Sequence, residues 1–370
     1  HTKGKGIEGD LRFHPNRPSH GEVHVLSYRG ESKEILSDRL IGGTEARIFL
    51  DVPYKQLLRN APKTANEWAL YRAGSKALKL MCPNYSSPRV KSLFKSKEYR
   101  RIVQDIADLV YHGDAVGIRD TGLQPVHRRN ILAFHSWRKF NAQKRQNMER
   151  QLLNRWQVWL RNLSKRPEML GGRFGAVAGD GRDGNALRFI DRDTNKLPQL
   201  RLFFADNIND QPYFINLQEK LRELGILDLE VNMGSDFIAA DHFRKILQHD
   251  RHLDNGHEGV VFDIPVPHND HVEHYFSRAG NFFGLDDGIS PHMLKQVHQI
   301  ETGDWTPGAT QRLGQLLRQE IPCVIVGQHP FYVYVRKEGM HKLSAGPNTA
   351  EWRQATTAYR LGKRISISAQ

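Results

Sequence analysis

The run Leu200-Arg-Leu-Phe-Phe-Ala-Asp-Asn-Ile-Asn-Asp-Gln-Pro-Tyr-Phe-Ile-Asn-Leu-Gln-Glu-Lys-Leu-Arg-Glu-Leu-Gly-Ile-Leu-Asp-Leu-Glu-Val231 decides the fold class. Leu200 to Ala205 is a short, nearly continuous apolar run of strand length. Phe214, Leu217, Leu221 and Leu224 then recur at the three- and four-residue spacing of one helix face, and Gly225 closes the stripe. Leu227 to Val231 returns to strand character. The alternation continues downstream, with Phe243, Ile246 and Leu247 on a helix and Gly259 to Val266 as a third strand. Helical runs follow at Met293 to Ile300 and Leu313 to Leu317, then strands at Ile321 to Val326 and Phe331 to Val335.

Working upstream, the pattern changes twice. Tyr99, Ile102, Val103, Ile106 and Val110 mark one amphipathic helix, and Met148, Leu152, Trp156, Trp159, Leu160 and Leu163 a longer one. Pro125 opens a third helical run through Ile131, Phe134 and Trp137. Before these, Glu22 to Tyr28, Ala46 to Val52 and Lys76 to Met81 are strand-like and separated by Gly42-Gly43, Pro53 and Gly74-Ser75. His1 to Ser19 has no apolar core and reads as a loop or arm. The expected class is α+β (mixed α/β): a β-containing part over 1–91, a basic helical middle over 92–168 and an acidic, His-rich α/β part over 169–370.

Composition bounds the function. With 370 residues and 39% hydrophobic content, the chain can build a core and is not wholly disordered. No apolar run is long enough for a transmembrane helix. Cys82 and Cys323, the two cysteines, cannot form a disulfide framework or a four-thiolate zinc site, and a cytoplasmic or other reducing intracellular compartment is the expected location.

Charge is segregated within the net +13. Leu123 to Leu170 holds eleven Lys/Arg against two acids, whereas Leu202 to Asp304 holds seven against eighteen, with nine of the 18 histidines. In the basic stretch Arg128, Arg129, Arg138, Lys139, Lys144 and Arg145 are interleaved with His127, His135, Trp137 and Phe140. That composition suits a phosphate backbone, DNA or RNA, because cations release its counterions and exposed rings stack on bases, with an anionic membrane surface or an acidic protein partner as the alternative. Trp156 and Trp159 fit the apolar stripe of their helix and read as core.

The acidic stretch carries the candidate metal ligands. His268-Asn-Asp-His271-Val-Glu-His274 spaces three imidazoles so that neighbours share a helix face, a donor set for a divalent ion such as Mg, Mn or Zn. Such an ion activates water for phosphodiester hydrolysis, which makes metal-dependent nuclease chemistry the leading expectation. A non-catalytic subunit of a ribonucleoprotein or defence complex is the alternative. Asp191-Arg-Asp193 is a further possible divalent-ion pair, and the Gly-rich run Gly171 to Gly184 a linker or hairpin.

Two local resemblances touch the same residues. Ile246-Leu-Gln-His249-Asp250 with His257 is similar to the HD-type phosphohydrolase pattern. Asp250-Arg251-His252-Leu-Asp-Asn255, followed by Asp263 on a strand, resembles the catalytic loop of lipid-kinase-like phosphotransferases. The second resemblance implies Asp250 as base, Asn255 and Asp263 as metal ligands, and Lys79 with Glu98 as a phosphate-anchoring pair. Asp250, His252 and Asp263 are therefore the candidate catalytic residues.

Overall fold

The computed structural model describes residues 7–13, 21–27, 48–50, 68–111, 123, 142–179, 187–205, 210–231, 237–238, 258–265, 295, 307–336 and 366–367. In chain order the elements are strands β1 (Ile7–Phe13), β2 (Gly21–Ser27), β3 (Ile48–Leu50) and β4 (Trp68–Pro83), then helices α1 (Pro88–Leu93), α2 (Lys97–Val110) and α3 (Ala142–Lys165). There follow β5 (Phe174–Ala178), β6 (Leu187–Asp191), β7 (Gln199–Ala205), α4 (Gln211–Glu223), β8 (Asp228–Val231), β9 (Phe237–Ile238) and β10 (Gly259–Pro265). Helix α5 (Pro307–Glu320), β11 (Val324–Arg336) and β12 (Ser366–Ile367) complete the order. The helices and mixed sheet make this an α+β fold.

The chain divides into two compact units, His1–Lys76 with His329–Gln370, and Ala77–Gln328. In the first, β1 pairs antiparallel with β2 and parallel with β12. The segment read as an N-terminal arm thus contains a strand, whose period-two mark, Ile7, Leu11 and Phe13 alternating with Glu8, Asp10 and Arg12, the sequence reading missed. In the same unit β3 pairs antiparallel with 333–335 of β11. The two strand runs expected at 321–326 and 331–335 are one strand, β11.

The second unit holds the sheet β4-β10-β7-β8, with β9 also on β7. Strand β7 is parallel to β8 and to β10, while β10 is antiparallel to β4. Leu200, Leu202, Phe203 and Phe204 are all buried, as a strand flanked on both sides and covered on both faces requires. A parallel β7–β8 pair needs a crossover, and α4 supplies it. Its stripe of Tyr213, Phe214, Leu217 and Leu221 is buried against the sheet core. Gly225 adopts φ 64, and the N–H of Ile226 then donates to Leu221 O at 2.9 Å, which ends the helix and turns the chain into β8.

Helices α2 and α3 join the same core. Ser96 caps α2, its Oγ accepting from Tyr99 N at 3.3 Å and from Trp159 Nε1 at 3.0 Å. The rings of Trp156 and Trp159 stack with centroids 5.0 Å apart, and Trp159 lies 5.4 Å from Tyr99 and from Phe189. Both tryptophans are core, as their spacing indicated. The Gly-rich run begins a β5–β6 hairpin. Cys82, in β4, is disulfide-bonded to Cys323, just before β11.

Candidate functional site

In sheets of this kind, groups just beyond the carboxyl ends of parallel strands are placed to meet ligands. Here those ends are Ala205, Val231 and Pro265 of β7, β8 and β10. Asp210 follows β7 at the start of α4, and Asp263 lies near the end of β10, directly opposite Lys79 in the β4–β10 register. Lys79 Nζ is 2.9 Å from Asp210 Oδ2 and 2.9 Å from Asp263 Oδ1. Lys79 and Asp210 are 1% and 0% exposed, and Asp263 is 19% exposed. Asp263 is thus the member of the cluster that reaches solvent.

The charges are held by mutual compensation. Burial pulls the Lys79 ammonium down, but Asp263 and then Asp210 outweigh it, by charge and hydrogen bonding, and hold its pKa above the usual lysine value. Asp210 also sits at the positive end of α4. Around the cluster, Tyr213 donates from its hydroxyl to Ala107 O at 2.8 Å, and its ring lies 4.9 Å from Tyr111. Burial pushes both phenols well up, and the charges of Asp210 and Asp108 raise Tyr111 further. Gln104 Nε2 donates to Asp108 Oδ1 at 3.3 Å and to Ile325 O at 2.9 Å, tying α2 to β11.

A lysine kept protonated in this way offers no neutral amine for nucleophilic attack. The arrangement fixes charge in place.

A second ionic network lies at the amino ends of the strands. Arg89 donates from Nη2 to Gln199 O at 2.7 Å, pairs through Nε with Asp191 at 3.3 Å and through Nη1 with Glu258. Arg173 adds 3.6 Å and 3.0 Å contacts to Asp191 and Asp193. The Asp191–Asp193 pair expected to hold an ion is instead neutralised by guanidinium groups. Among the described residues, no group of three or more His, Cys, Asp or Glu is placed to hold an ion.

Of the sequence candidates, Asp263 joins the cluster, with Lys79 and Asp210 as its partners. Lys79 does not pair with Glu98, whose carboxylate takes Arg155 at 2.7 Å, so the phosphate-anchoring pair does not form. Lys144 and Arg145 lie on the first turns of α3. Asp250, His252, His268, His271, His274, Arg128, Arg129, Arg138 and Lys139 lie outside the described residues. Asp210 escaped the sequence reading; an Asp two residues before Pro212 at the mouth of a helical stripe is its visible signal.

The fold is one shared with solute-binding proteins. The chain resembles MppA, a periplasmic murein tripeptide-binding protein in its unliganded open form, at TM-score 0.53 and 11% identity over 85% of this chain and 53% of that one. It resembles NikA from Brucella suis, in complex with Fe(III)-EDTA, at TM-score 0.51 and 12% identity over 90% and 60%. For AppA, a candidate peptide-binding protein from Clostridium difficile, the values are 0.50 and 10% over 88% and 58%. The chain spans roughly half to three fifths of the length of these structures. No family model and no curated protein sequence matches it.

These findings correct the functional expectation. Nucleic-acid binding, nuclease or kinase-like chemistry and membership of a ribonucleoprotein are replaced by the fold of solute binders. Segregated charge misled the reading, because part of the basic stretch neutralises local acids: Arg155 is bonded to Glu98 and Asp105. The cytoplasmic expectation is likewise overturned, by the likeness to a periplasmic protein and by the Cys82–Cys323 bond, which is typical of oxidising compartments. The divalent cofactor expected from the histidines finds no support among the described residues, and in NikA the metal belongs to a bound Fe(III)-EDTA complex.

Proposed function

We propose that this chain is an extracytoplasmic solute-binding module whose ligand is a short peptide. The observation that carries the reading is the likeness, over 85% or more of the chain, to MppA, a murein tripeptide-binding protein, and to AppA, a candidate peptide-binding protein. The Lys79–Asp210–Asp263 cluster at the carboxyl ends of β7 and β10 supports it, because Asp263 presents a fixed carboxylate suited to a peptide ammonium. Calorimetric titration with tri-, tetra- and pentapeptides tests it. Saturable binding that weakens in Asp263→Asn, without loss of folding, is the expected result. An absence of binding across the peptide series would remove the reading.

A metal chelate is the second ligand class, favoured by the His268-x-x-His271-x-x-His274 spacing together with the iron complex in NikA. Equilibrium dialysis against nickel and iron chelates separates the two. Imidazoles must be neutral to donate, so uptake through these histidines falls as pH drops through about 6.5.

A further inference from the structure

Helix α3 is the most lopsided charged surface among the described residues. Of its charged side chains, Arg155 is occupied by Glu98 and Asp105, and Glu149 is paired with Lys220 of α4. That removes the helix's one acid from play. Arg150, Arg161 and Lys165 are exposed and form no ion pair with a described residue. Their spacing of eleven and four residues returns each to the same side of the helix, opposite the buried Leu152, Trp156, Trp159, Leu160 and Leu163. They form a line about 22 Å long, with the exposed amides of Asn147 and Asn154 on the same side. Other helices differ: the exposed positions of α2 include Lys97, Glu98 and Arg101, and those of α4 include Glu219, Arg222 and Glu223. Along the chain, the next exposed acid, Glu168, lies beyond the end of α3.

We propose that the outward face of α3 docks on an anionic phospholipid bilayer. Charge complementarity selects an anionic partner, and the shape of the face selects a flat one. A stable protein interface buries an apolar, often aromatic, centre. Here the exposed large apolar residues of α3 are Leu153 and Val158, at 36% and 52%, flanking the cation line on opposite sides rather than filling its middle. A row of cations and amides on a straight helix instead fits a plane of phosphate headgroups, each cation strengthening attachment about fivefold. The inference stands apart from the peptide reading, since it involves none of the residues of that site.

Co-sedimentation of the full chain with vesicles tests it, using phosphatidylcholine alone against equal parts phosphatidylcholine and phosphatidylglycerol. Binding is expected to the mixed vesicles only, and to fade as salt shortens the screening length toward about 3 Å. The variant R150E/R161E/K165E should bind roughly a hundredfold more weakly. R101E/R192E/K196E, with the same net charge altered on exposed positions elsewhere, should bind like the parent. Failure of the parent chain to bind mixed vesicles overturns the proposal, as does equal loss in both variants. Soluble poly-aspartate binding as tightly per charge would make an acidic protein the occupant and overturn it too.

Discussion

Replacing Lys79 by Met keeps most of the side-chain volume and removes the charge at the centre of the candidate site. Asp210 is 0% exposed and Asp263 19%, so water cannot take over from the lost ammonium at Asp210. Breaking a buried pair by deleting one partner costs about 3–5 kcal/mol, because the remaining charge stays desolvated. For a unit the size of Ala77–Gln328, that corresponds to a melting temperature lower by roughly 10 °C. The triple variant K79M/D210N/D263N leaves no charge in this cluster and should recover at least about 1 kcal/mol of the loss. Guanidinium titration followed by circular dichroism measures both. The sign of the pH dependence provides a second check. The folded pKa of Lys79 lies above its unfolded value of 10.5, so its contribution is complete below 10.5 and declines as pH rises through the folded pKa. The parent should therefore lose stability faster than K79M in that alkaline range. A K79M cost under about 1 kcal/mol, or a triple variant no better than the single one, would refute the reasoning.

Reduction of Cys82–Cys323 opens a loop closed over a separation of 241 residues, worth about 5 kcal/mol in the chain-entropy limit, so reductant should lower the melting temperature of the parent and leave C82A/C323A unaffected. Identical melting with and without reductant would exclude the bond. Ser96→Ala removes the cap of α2 and the acceptor of the Trp159 indole; a loss of about 2–3 kcal/mol is expected in urea titration, and a loss within the ordinary surface range of about 0.5 kcal/mol would contradict it.

The strand–helix–strand run from Leu200 to Val231 was legible because burial on both faces of β7 and on one face of α4 leaves a local periodic mark. The same holds for Trp156 and Trp159, whose spacing alone places them in the core. The candidate site left no such mark. Lys79, Asp210 and Asp263 are separated by more than fifty residues at each step, and none stands in a motif. Asp263 was noticed for its place after a kinase-like loop, and Lys79 was given the wrong partner because Glu98 and Asp210 are equally plausible acids until the tertiary packing is known.

What the sequence determined by itself, then, was the element types over 96–110, 148–163 and 200–231, since hydrophobic period is a property of neighbours in the chain. Only the tertiary structure decided which charges are spent on each other. Lys79 faces Asp263 because β4 and β10 pair antiparallel in one register, Arg155 faces Glu98 because α2 packs on α3, and Cys82 meets Cys323 across 241 residues. Net charge adds up along a sequence, whereas ion pairing depends on distances of a few ångströms that strand register and helix packing set.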